Sequence, residues 1–428
     1  MKKKIAYLKY VLNRVIRVLR LHLVARFFIR LYRKTSRYLY RKLKPLRLRV
    51  REIFDACYYK IYSRFCKIDQ KKVIFDCFRG NGYGESPKYI AEEIHRQGLG
   101  WDMVWMLNDT DMPLPPYVRA VKYDSYKAKR EMSTAKVLVD NIRNSVRAPK
   151  RAGQIYLQTW HGGMSFKKLE RETEEGMHPE YKRKAMLDGA QCDGIISACA
   201  LQTEDYKQNF WLNPKTEILE YGQPRCDVLF DVDPQKNKAK VCDALNLPYA
   251  TKIILYAPTF RDDGRTDGYK LDHKAVLTAF EKMYAEPCVL IVRMHPNVGQ
   301  HQTLVNYTDK VINGSNYPDI QELYMASAAL ITDYSSTAFD CSLLGIPVFI
   351  CALDYEQYKN RRSMTSAFEE TPFPKSFTNE ALIQHILNYD EQVYMRELER
   401  YKETIWMPFD RGNAAERTVN WLKERMTK

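Results

Sequence analysis

Short polar clusters follow apolar runs at several points where reactive groups could be held. In Gln158–Gly163 (QTWHGG), the imidazole of His161 precedes two glycines, Gly162 and Gly163, which leave backbone NH groups uncovered. An imidazole titrates near neutral pH, so His161 is suited to accepting a proton from a hydroxyl group. A buried structural histidine beside a glycine turn is the alternative interpretation.

A second cluster contains Arg293 and His295 (RMHP) at the end of an apolar run. Side chains alternate along a strand, so these two residues fall on the same side. Two neighbouring hydrogen-bond donors of this kind suit a phosphate group. The alternative is a surface arginine followed by a turn histidine.

A third cluster, TDYSST at 332–337, precedes an apolar helical stretch. Its last three residues, Ser335, Ser336 and Thr337, have small hydroxyl side chains. Hydroxyls at a helix start, together with its free NH groups and dipole, form an anion site. N-capping by Ser335 or Ser336 is the alternative, and both interpretations can hold together. Asp333 and Asp340 could orient either a ligand or the helix start.

Weaker candidates lie in other loops. Tyr256–Asp262 (YAPTFRD) contains Thr259 and Arg261 after an apolar run, and a flexible turn is the alternative there. The basic side chains of Lys167, Lys168 and Arg411 could contact phosphates or be solvated surface charges. The histidines, cysteines and carboxylates show no metal-ligand spacing, so the sequence predicts no dedicated metal site.

The elements that position these clusters alternate between short apolar strands and helices, which predicts an α/β fold with parallel sheets. The predicted helices include Pro87–Gln97, Ile320–Ala326 and Ala338–Leu344. The predicted strands are Val73–Phe78, Met103–Leu107, Val137–Asn141, Ile155–Gln158, Ile195–Ala198, Ile253–Ala257, Leu290–Met294, Leu330–Thr332 and Val348–Cys351. Because these are too many for one sheet, we expect two domains facing a cleft, with ligands at the carboxyl ends of strands.

Positive charge is concentrated at one end of the 428-residue chain, whose net charge is +16. Residues 1–51 contain 18 Lys and Arg and no acidic residue; the remaining 50 basic and 52 acidic groups give a net charge of −2. This distribution argues against a nucleic-acid-coating surface on the folded domains.

The ten cysteines form no CxxC pair and are expected to be free thiols in a reducing cytoplasm.

The basic N-terminal arm has no apolar run long enough for a signal peptide or a membrane-spanning helix. Apolar residues from Ile5 to Leu23 recur on one helical face, with Arg14 and Arg17 away from it. Such a helix is typical of segments that lie on an anionic membrane surface. Packing on the protein's own body, or on another partner, is the alternative.

Several motifs in one order resemble the CDP-glycerol glycerophosphotransferase family, whose members build teichoic acids and related polyol-phosphate polymers in bacteria. The resemblance covers residues 72–425. The motifs are QTWHGGMSFKKL at 158–169, GQPR at 222–225, YAPTFRD at 256–262, RMHP at 293–296 and ITDYSSTAFD at 331–340.

The resemblance implies a GT-B-like architecture of two Rossmann-like domains. We expect a membrane-associating arm at 1–55, an acceptor-side domain at 56–235 and a donor domain at 236–428. The implied catalytic residues are His161, as the base, and His295. The resemblance assigns donor-phosphate binding to His295 and to the hydroxyls of Ser335, Ser336 and Thr337. Arg293, Thr259, Arg261, Asp333 and Asp340 are further donor-binding candidates. Gly162, Gly163, Lys167, Lys168 and Arg411 remain weaker candidates for acceptor or phosphate contacts.

The expected reaction moves a polyol phosphate, glycerol phosphate first, from a CDP-polyol to a hydroxyl of a membrane-linked acceptor and releases CMP. The resemblance also implies that the protein lies peripherally on the cytoplasmic face of the bacterial cell membrane. No cofactor is required, although Mg²⁺ can accompany the donor diphosphate. The alternatives are a GT-B glycosyltransferase that uses a nucleotide sugar and a non-enzymatic membrane scaffold.

Overall fold

The computed structural model describes residues 43, 50, 53–55, 57–59, 61–143, 150–230, 233–261, 264–294, 304–361 and 363–427. The chain divides into two compact units, Met1–Phe65 and Cys66–Lys428. The described residues of the first unit are all helical, and the amphipathic segment predicted from Ile5 to Leu23 lies outside them. Among described residues, no helix is both long and apolar enough to cross a membrane.

The second unit contains two sheets, and every pair of neighbouring strands in them is parallel. The first sheet has the order β3-β2-β1-β4-β5-β6-β7. Its strands are β1 (Asp69–Asp76), β2 (Asp102–Leu107), β3 (Val118–Lys122), β4 (Ala135–Asp140), β5 (Ile155–Gln158), β6 (Gly194–Ser197) and β7 (Glu217–Glu220). The buried central strands are nearly all apolar, as expected for a sheet covered on both faces.

The second sheet has the order β10-β9-β8-β11-β12-β13. Its strands are β8 (Lys252–Ala257), β9 (Cys288–Val292), β10 (Val311–Asn313), β11 (Ala329–Thr332), β12 (Val348–Cys351) and β13 (Lys375–Ser376). The predicted α/β class with parallel sheets is therefore confirmed. Each predicted apolar run overlaps a strand, and β3, β7, β10 and β13 are additional strands.

Helices connect most of the strands. The α-helices are α1 (Glu85–Arg96), α2 (Tyr126–Thr134), α3 (Pro179–Gln191), α4 (Ala200–Asn209), α5 (Pro234–Leu245), α6 (His273–Tyr284), α7 (Ile320–Ala326), α8 (Thr337–Ser342), α9 (Tyr355–Lys359), α10 (Ala367–Glu370), α11 (Asn379–Leu387), α12 (Glu391–Tyr401) and α13 (Ala414–Met426). Short 3-10 segments span Glu170–Gly176, Pro224–Leu229 and Asp267–Tyr269. Polar N-caps fix several helix starts; for example, the Asp319 side chain accepts from the backbone NH of Gln321 at α7.

The chain passes between the two hydrophobic cores in both directions. Phe166, which follows β5, is fully buried in the core of the second sheet, and its carbonyl accepts from the NH of Thr365 at 3.0 Å. In return, Val419 and Trp421 of α13 are buried in the core of the first sheet. These exchanges tie the two sheets together.

Candidate active site

The His161 loop, residues 159–163, begins at the carboxyl end of β5. The backbone NH of Thr159 donates to the Asp140 carbonyl of β4 at 2.8 Å, and Trp160 has a left-handed φ of 54°. His161 Nδ1 lies 2.9 Å from the carbonyl oxygen of Asn141. Since a carbonyl can only accept, Nδ1 carries the proton of the neutral ring, and the basic lone pair belongs to Nε2. The ring therefore has the tautomer that a base needs.

The glycines of this loop permit close approaches, of Gly162 to the hydroxyl cluster after β11 and of Gly163 to the residue after β6. A Cβ on Gly162 would lie 3.2 Å from Ser336 Oγ, and one on Gly163 would lie 3.2 Å from Ala198 Cβ. The Gln202 side-chain amide of α4 donates to the Gly162 carbonyl at 2.6 Å and also to that of Gly163. The loop is thus fixed from behind and packs against the predicted anion site.

The predicted anion site is the hydroxyl loop, residues 333–337, which runs from the end of β11 to the first residue of α8. Asp333 is buried, and its Oδ1 accepts from the backbone NH groups of Thr259 at 2.8 Å and Tyr334 at 2.6 Å. Ser335 Oγ accepts from the NH of Thr337 at 3.3 Å, while Ser336 makes no side-chain cap. The hydroxyl loop is therefore pinned through Asp333, with Ser336 beside the His161 loop.

The guanidinium of Arg261 is buried between two carboxylates. Its Nε donates to Asp354 Oδ2 at 2.7 Å, its Nη2 donates to Asp333 Oδ2 at 2.8 Å, and its Nη1 donates to the Thr259 carbonyl at 2.6 Å. Burial alone would lower the pKa of Arg261, but Asp333 and Asp354 raise it above its ordinary value. Through these contacts Arg261 and Asp333 support the hydroxyl loop and the loop that contains Thr259. Their contacts with a donor stay predictions.

Arg293 follows β9 and is largely buried. Its Nη1 donates to the carbonyl oxygens of Tyr317 at 2.5 Å and Gly314 at 3.3 Å, and burial lowers its pKa. His295 lies outside the described residues. The predicted pairing of these two side chains on one phosphate therefore stays a prediction.

The three weaker basic candidates have different surroundings. The ammonium of Lys167 lies 5.6 Å from the ring centroid of Tyr358, in the second sheet's region. Lys168 is exposed, and its backbone NH donates to the Ser363 carbonyl at 2.9 Å. Arg411 is also exposed. None of the contacts described for these side chains places them at His161.

Sequence reasoning gave no role to Arg225, although it belongs to the GQPR motif. Its side chain is 2% exposed and lies between Glu85 Oε2 at 3.0 Å and Asp340 Oδ2 at 2.8 Å. Burial raises the pKa of Glu85, and Arg225 opposes that shift. Asp340, predicted to bind the donor, accepts from Arg225 with both oxygens. The spacing of positions 85, 225 and 340 in the sequence does not indicate that these three side chains form a cluster.

The part of the chain with described side chains shows no group of three or more His, Cys, Asp and Glu residues that could hold a metal ion. The geometry instead brings a histidine of defined tautomer to a loop of hydroxyl groups. Such an arrangement can accept a proton on one side and bind an anion on the other.

A family model for CDP-glycerol:poly(glycerophosphate) glycerophosphotransferase matches residues 58–424. The chain belongs to this family. The resemblance drawn from the motifs is thereby confirmed over most of the chain.

Two similar proteins are teichoic acid poly(glycerol phosphate) polymerases. The protein from Staphylococcus epidermidis is 30% identical over 403 residues, which cover 91% of this chain and 55% of that protein. The protein from Bacillus subtilis (strain 168) is 34% identical over 336 residues, which cover 74% of this chain and 44% of that protein. The chain thus spans about half the length of these relatives.

The structure is also similar to that of the wall teichoic acid polymerase TagF. The TM-score is 0.76 at 30% identity, covering 92% of this chain and 98% of the TagF chain. A variant of TagF soaked with CDPG gives a TM-score of 0.77 at 29% identity, covering 89% and 98% of the two chains.

Proposed function

We propose that this chain transfers glycerol phosphate from CDP-glycerol to a hydroxyl of a membrane-linked acceptor, with release of CMP, in the synthesis of a teichoic-acid-like polymer. The observation that carries the proposal is the contact between the His161 loop and the hydroxyl loop. Family membership and the similarity to teichoic acid polymerases supply the substrate class.

His161 acts as the general base. Its Nδ1 proton is engaged by the Asn141 carbonyl, so Nε2 accepts the proton of the acceptor hydroxyl. The acceptor oxygen forms a bond to the phosphorus that carries glycerol, and the bond from that phosphorus to the CMP oxygen breaks. The main contribution of the protein to phosphoryl-type transfer is positioning and charge stabilisation.

The donor diphosphate binds at the hydroxyl loop. The side chains of Ser335, Ser336 and Thr337 are partly exposed beside Gly162, where hydroxyl and backbone NH donors can stabilise phosphate oxygens. Arg293 and His295 remain candidates for the same phosphates. The scheme requires no cofactor, and Mg²⁺ can accompany the diphosphate.

The two parallel sheets support a GT-B-like arrangement, with an acceptor-side domain at 56–235 and a donor domain at 236–428. The basic segment at 1–55 holds the enzyme peripherally on the cytoplasmic face of the membrane, where a lipid-linked acceptor is found. Each basic residue near an anionic surface contributes about 1 kcal/mol to such binding.

The test replaces His161 by alanine and measures CMP release from CDP-glycerol with a lipid-linked glycerol-phosphate acceptor. Loss of a general base lowers turnover by about 10²–10⁴-fold while the Kd for CDP-glycerol stays within about threefold. His95→Ala is the matched control, since His95 is exposed and stacks on Tyr117 with ring centroids 3.8 Å apart.

Several outcomes would contradict the proposal. Turnover retained in the His161→Ala variant would remove the base assignment. UDP release from a nucleotide sugar by the unmodified protein, without CMP release, would favour the glycosyltransferase. Membrane binding with no release of either nucleotide would favour the scaffold.

A further inference from the structure

Arg225 joins elements that belong to different sheets. It lies in the 3-10 segment after β7, and its Nη1 donates to Glu85 Oε2 at 3.0 Å, at the start of α1 beside the first sheet. Its Nε and Nη2 donate to the two oxygens of Asp340 at 2.8 and 3.2 Å. Asp340 belongs to α8, which follows β11 of the second sheet. A single buried guanidinium therefore spans the two sheets.

The backbone around Arg225 is held as tightly as its side chain. Gly222 begins this turn with φ of 82°, and a Cβ there would lie 2.6 Å from the Cα of Asp410. The NH of Gln223 donates to Asp410 Oδ1 at 2.7 Å. Because neither end of Arg225 can shift freely, its guanidinium is a fixed point for Asp340.

Asp340 is directly coupled to both site loops. Its backbone NH donates to the Ser336 carbonyl at 3.5 Å, one helical turn earlier. A Cβ on Gly163 would lie 3.8 Å from Asp340 Oδ1, and one on Gly162 would lie 3.2 Å from Ser336 Oγ. A displacement of Asp340 would therefore move the hydroxyl loop relative to the His161 loop.

We propose that Arg225 is a positioning residue that sets the distance between His161 and the donor phosphates through Asp340. This inference rests on the proposed transfer reaction, in which Arg225 acts through Asp340 rather than on the substrate. Its planar fork binds the Asp340 carboxylate at two points, a geometry that a lysine cannot reproduce. A misplacement of about 1 Å in a reacting geometry can lower the rate by about 100-fold.

A second ion pair between the same regions provides a matched control. Lys88, also on α1, lies 2.5 Å from Asp319 Oδ2 at the start of α7. Among described residues, the Asp319 carboxylate accepts hydrogen bonds from Lys88, Tyr89 and Gln321. None of these partners belongs to either site loop. Breaking this pair loosens the contact between the regions without displacing Asp340.

The experiment compares Arg225→Lys with Lys88→Met in the full chain. We expect Arg225→Lys to lower the turnover of CDP-glycerol by about 30–100-fold while the Kd for CDP changes less than threefold. Lys88→Met should keep turnover within about threefold, and both variants should keep the far-ultraviolet circular dichroism of the unmodified protein.

Equal turnover in a folded Arg225→Lys variant would overturn the inference, as would an equal loss in Lys88→Met. If Arg225→Lys does not fold, Asp340→Asn replaces it, since the amide keeps one acceptor and loses the charge; the same drop in turnover at unchanged CDP affinity is expected. A rise in the Kd for CDP matching the fall in turnover would make Asp340 a donor ligand and overturn the positioning role. Misfolding of both variants would assign Arg225 a purely structural role and overturn it too.

Failure of the underlying reaction gives a different result. If the unmodified chain releases no CMP from CDP-glycerol, the proposed function is wrong, and this inference is wrong with it. If the unmodified chain is active and the variants match it, the inference alone is overturned.

Discussion

Two buried arginines occupy corresponding places behind the two loops of the site. Arg143 follows β4 of the first sheet and lies between Glu170 and Asp188, beside Trp160 of the His161 loop. Arg261 follows β8 of the second sheet and lies between Asp333 and Asp354, behind the hydroxyl loop. The comparison shows how differently the two loops are held.

Arg143 makes fewer and longer hydrogen bonds than Arg261. Its Nη1 donates to Asp188 Oδ2 at 3.0 Å, while Nη2 donates to the Phe210 carbonyl at 3.0 Å and to Glu170 Oε2 at 3.4 Å. Its Nε is buried without a hydrogen-bond partner among the described residues. Within the described part of the chain, the guanidinium contacts the His161 loop through the Trp160 ring, whose centroid is 5.8 Å away.

Arg261 uses all three of its nitrogens at 2.6–2.9 Å, and Asp333 passes the support on to backbone NH groups of both neighbouring loops. Short charge-assisted bonds of this kind are roughly twice as strong as neutral ones. The hydroxyl loop is therefore held by a dense ionic network, whereas the His161 loop is held by ring contacts and by hydrogen bonds between uncharged groups.

The largest expected effect comes from Arg261→Met. Removing the cation leaves Asp333 and Asp354 buried without their counter-charge, which costs about 3–5 kcal/mol in the free energy of unfolding. Urea denaturation followed by tryptophan fluorescence measures the loss. Arg396→Met is the control, because that exposed arginine should change stability by less than about 0.5 kcal/mol. A loss below 1 kcal/mol for Arg261→Met would remove the basis of the comparison.

A smaller loss is expected from Arg143→Met, about 2–3 kcal/mol, because the longer contacts and the unpaired Nε make the native interaction weaker. The two carboxylates left behind also keep tyrosine donors: Tyr181 to Glu170 at 2.9 Å and Tyr156 to Asp188 at 3.1 Å. The same urea titration measures it, with the exposed Arg183→Met as control. Equal losses for the two arginines would show that the networks are equally strong.

The apolar pattern predicted the central strands of both sheets because those strands are buried on both faces. The edge strands were missed for the same physical reason: β3 (VRAVK) and β7 (EILE) keep charged residues on a solvated side, so they contain no continuous apolar run. The strand-end rule placed both loops at carboxyl ends of parallel strands, and the structure brings Gly162 of one loop close to Ser336 of the other.

The buried ionic clusters could not be predicted from the sequence. Arg225 is separated by 140 residues from Glu85 and by 115 residues from Asp340. A single chain with no periodic spacing at those separations gives no sign that the three side chains meet. The hydrogen bond of His161 to a backbone carbonyl leaves no trace in residue identity either, so the tautomer of His161 required the structure.

The smallest predicted effect is on how the free energy of unfolding depends on pH. A carboxyl beside the first sheet and one beside the second should contribute with opposite signs. Burial, followed by the charge of Glu172, raises the pKa of Asp205 on α4 to about 6. An unfolded aspartate titrates near ~3.9, so the folded state binds more protons between these values, and stability falls as pH rises from about 4 to 6. Asp205→Asn should therefore be more stable than the unmodified protein above pH 6, and urea titrations across this range should show the difference disappearing near pH 4.

Asp267, beside the second sheet, provides the opposite case. A hydrogen bond from Lys270 lowers the pKa of this exposed carboxyl, so its contribution to stability is present at neutral pH and is lost on acidification. Asp267→Asn should therefore be slightly less stable than the unmodified protein at pH 7, and the two should converge at low pH. Curves that shift in the same direction for Asp205→Asn and Asp267→Asn would show that burial does not separate these carboxyls. Shifts of opposite sign would show that burial and ion pairing move the pKa values of these two carboxyls in opposite directions.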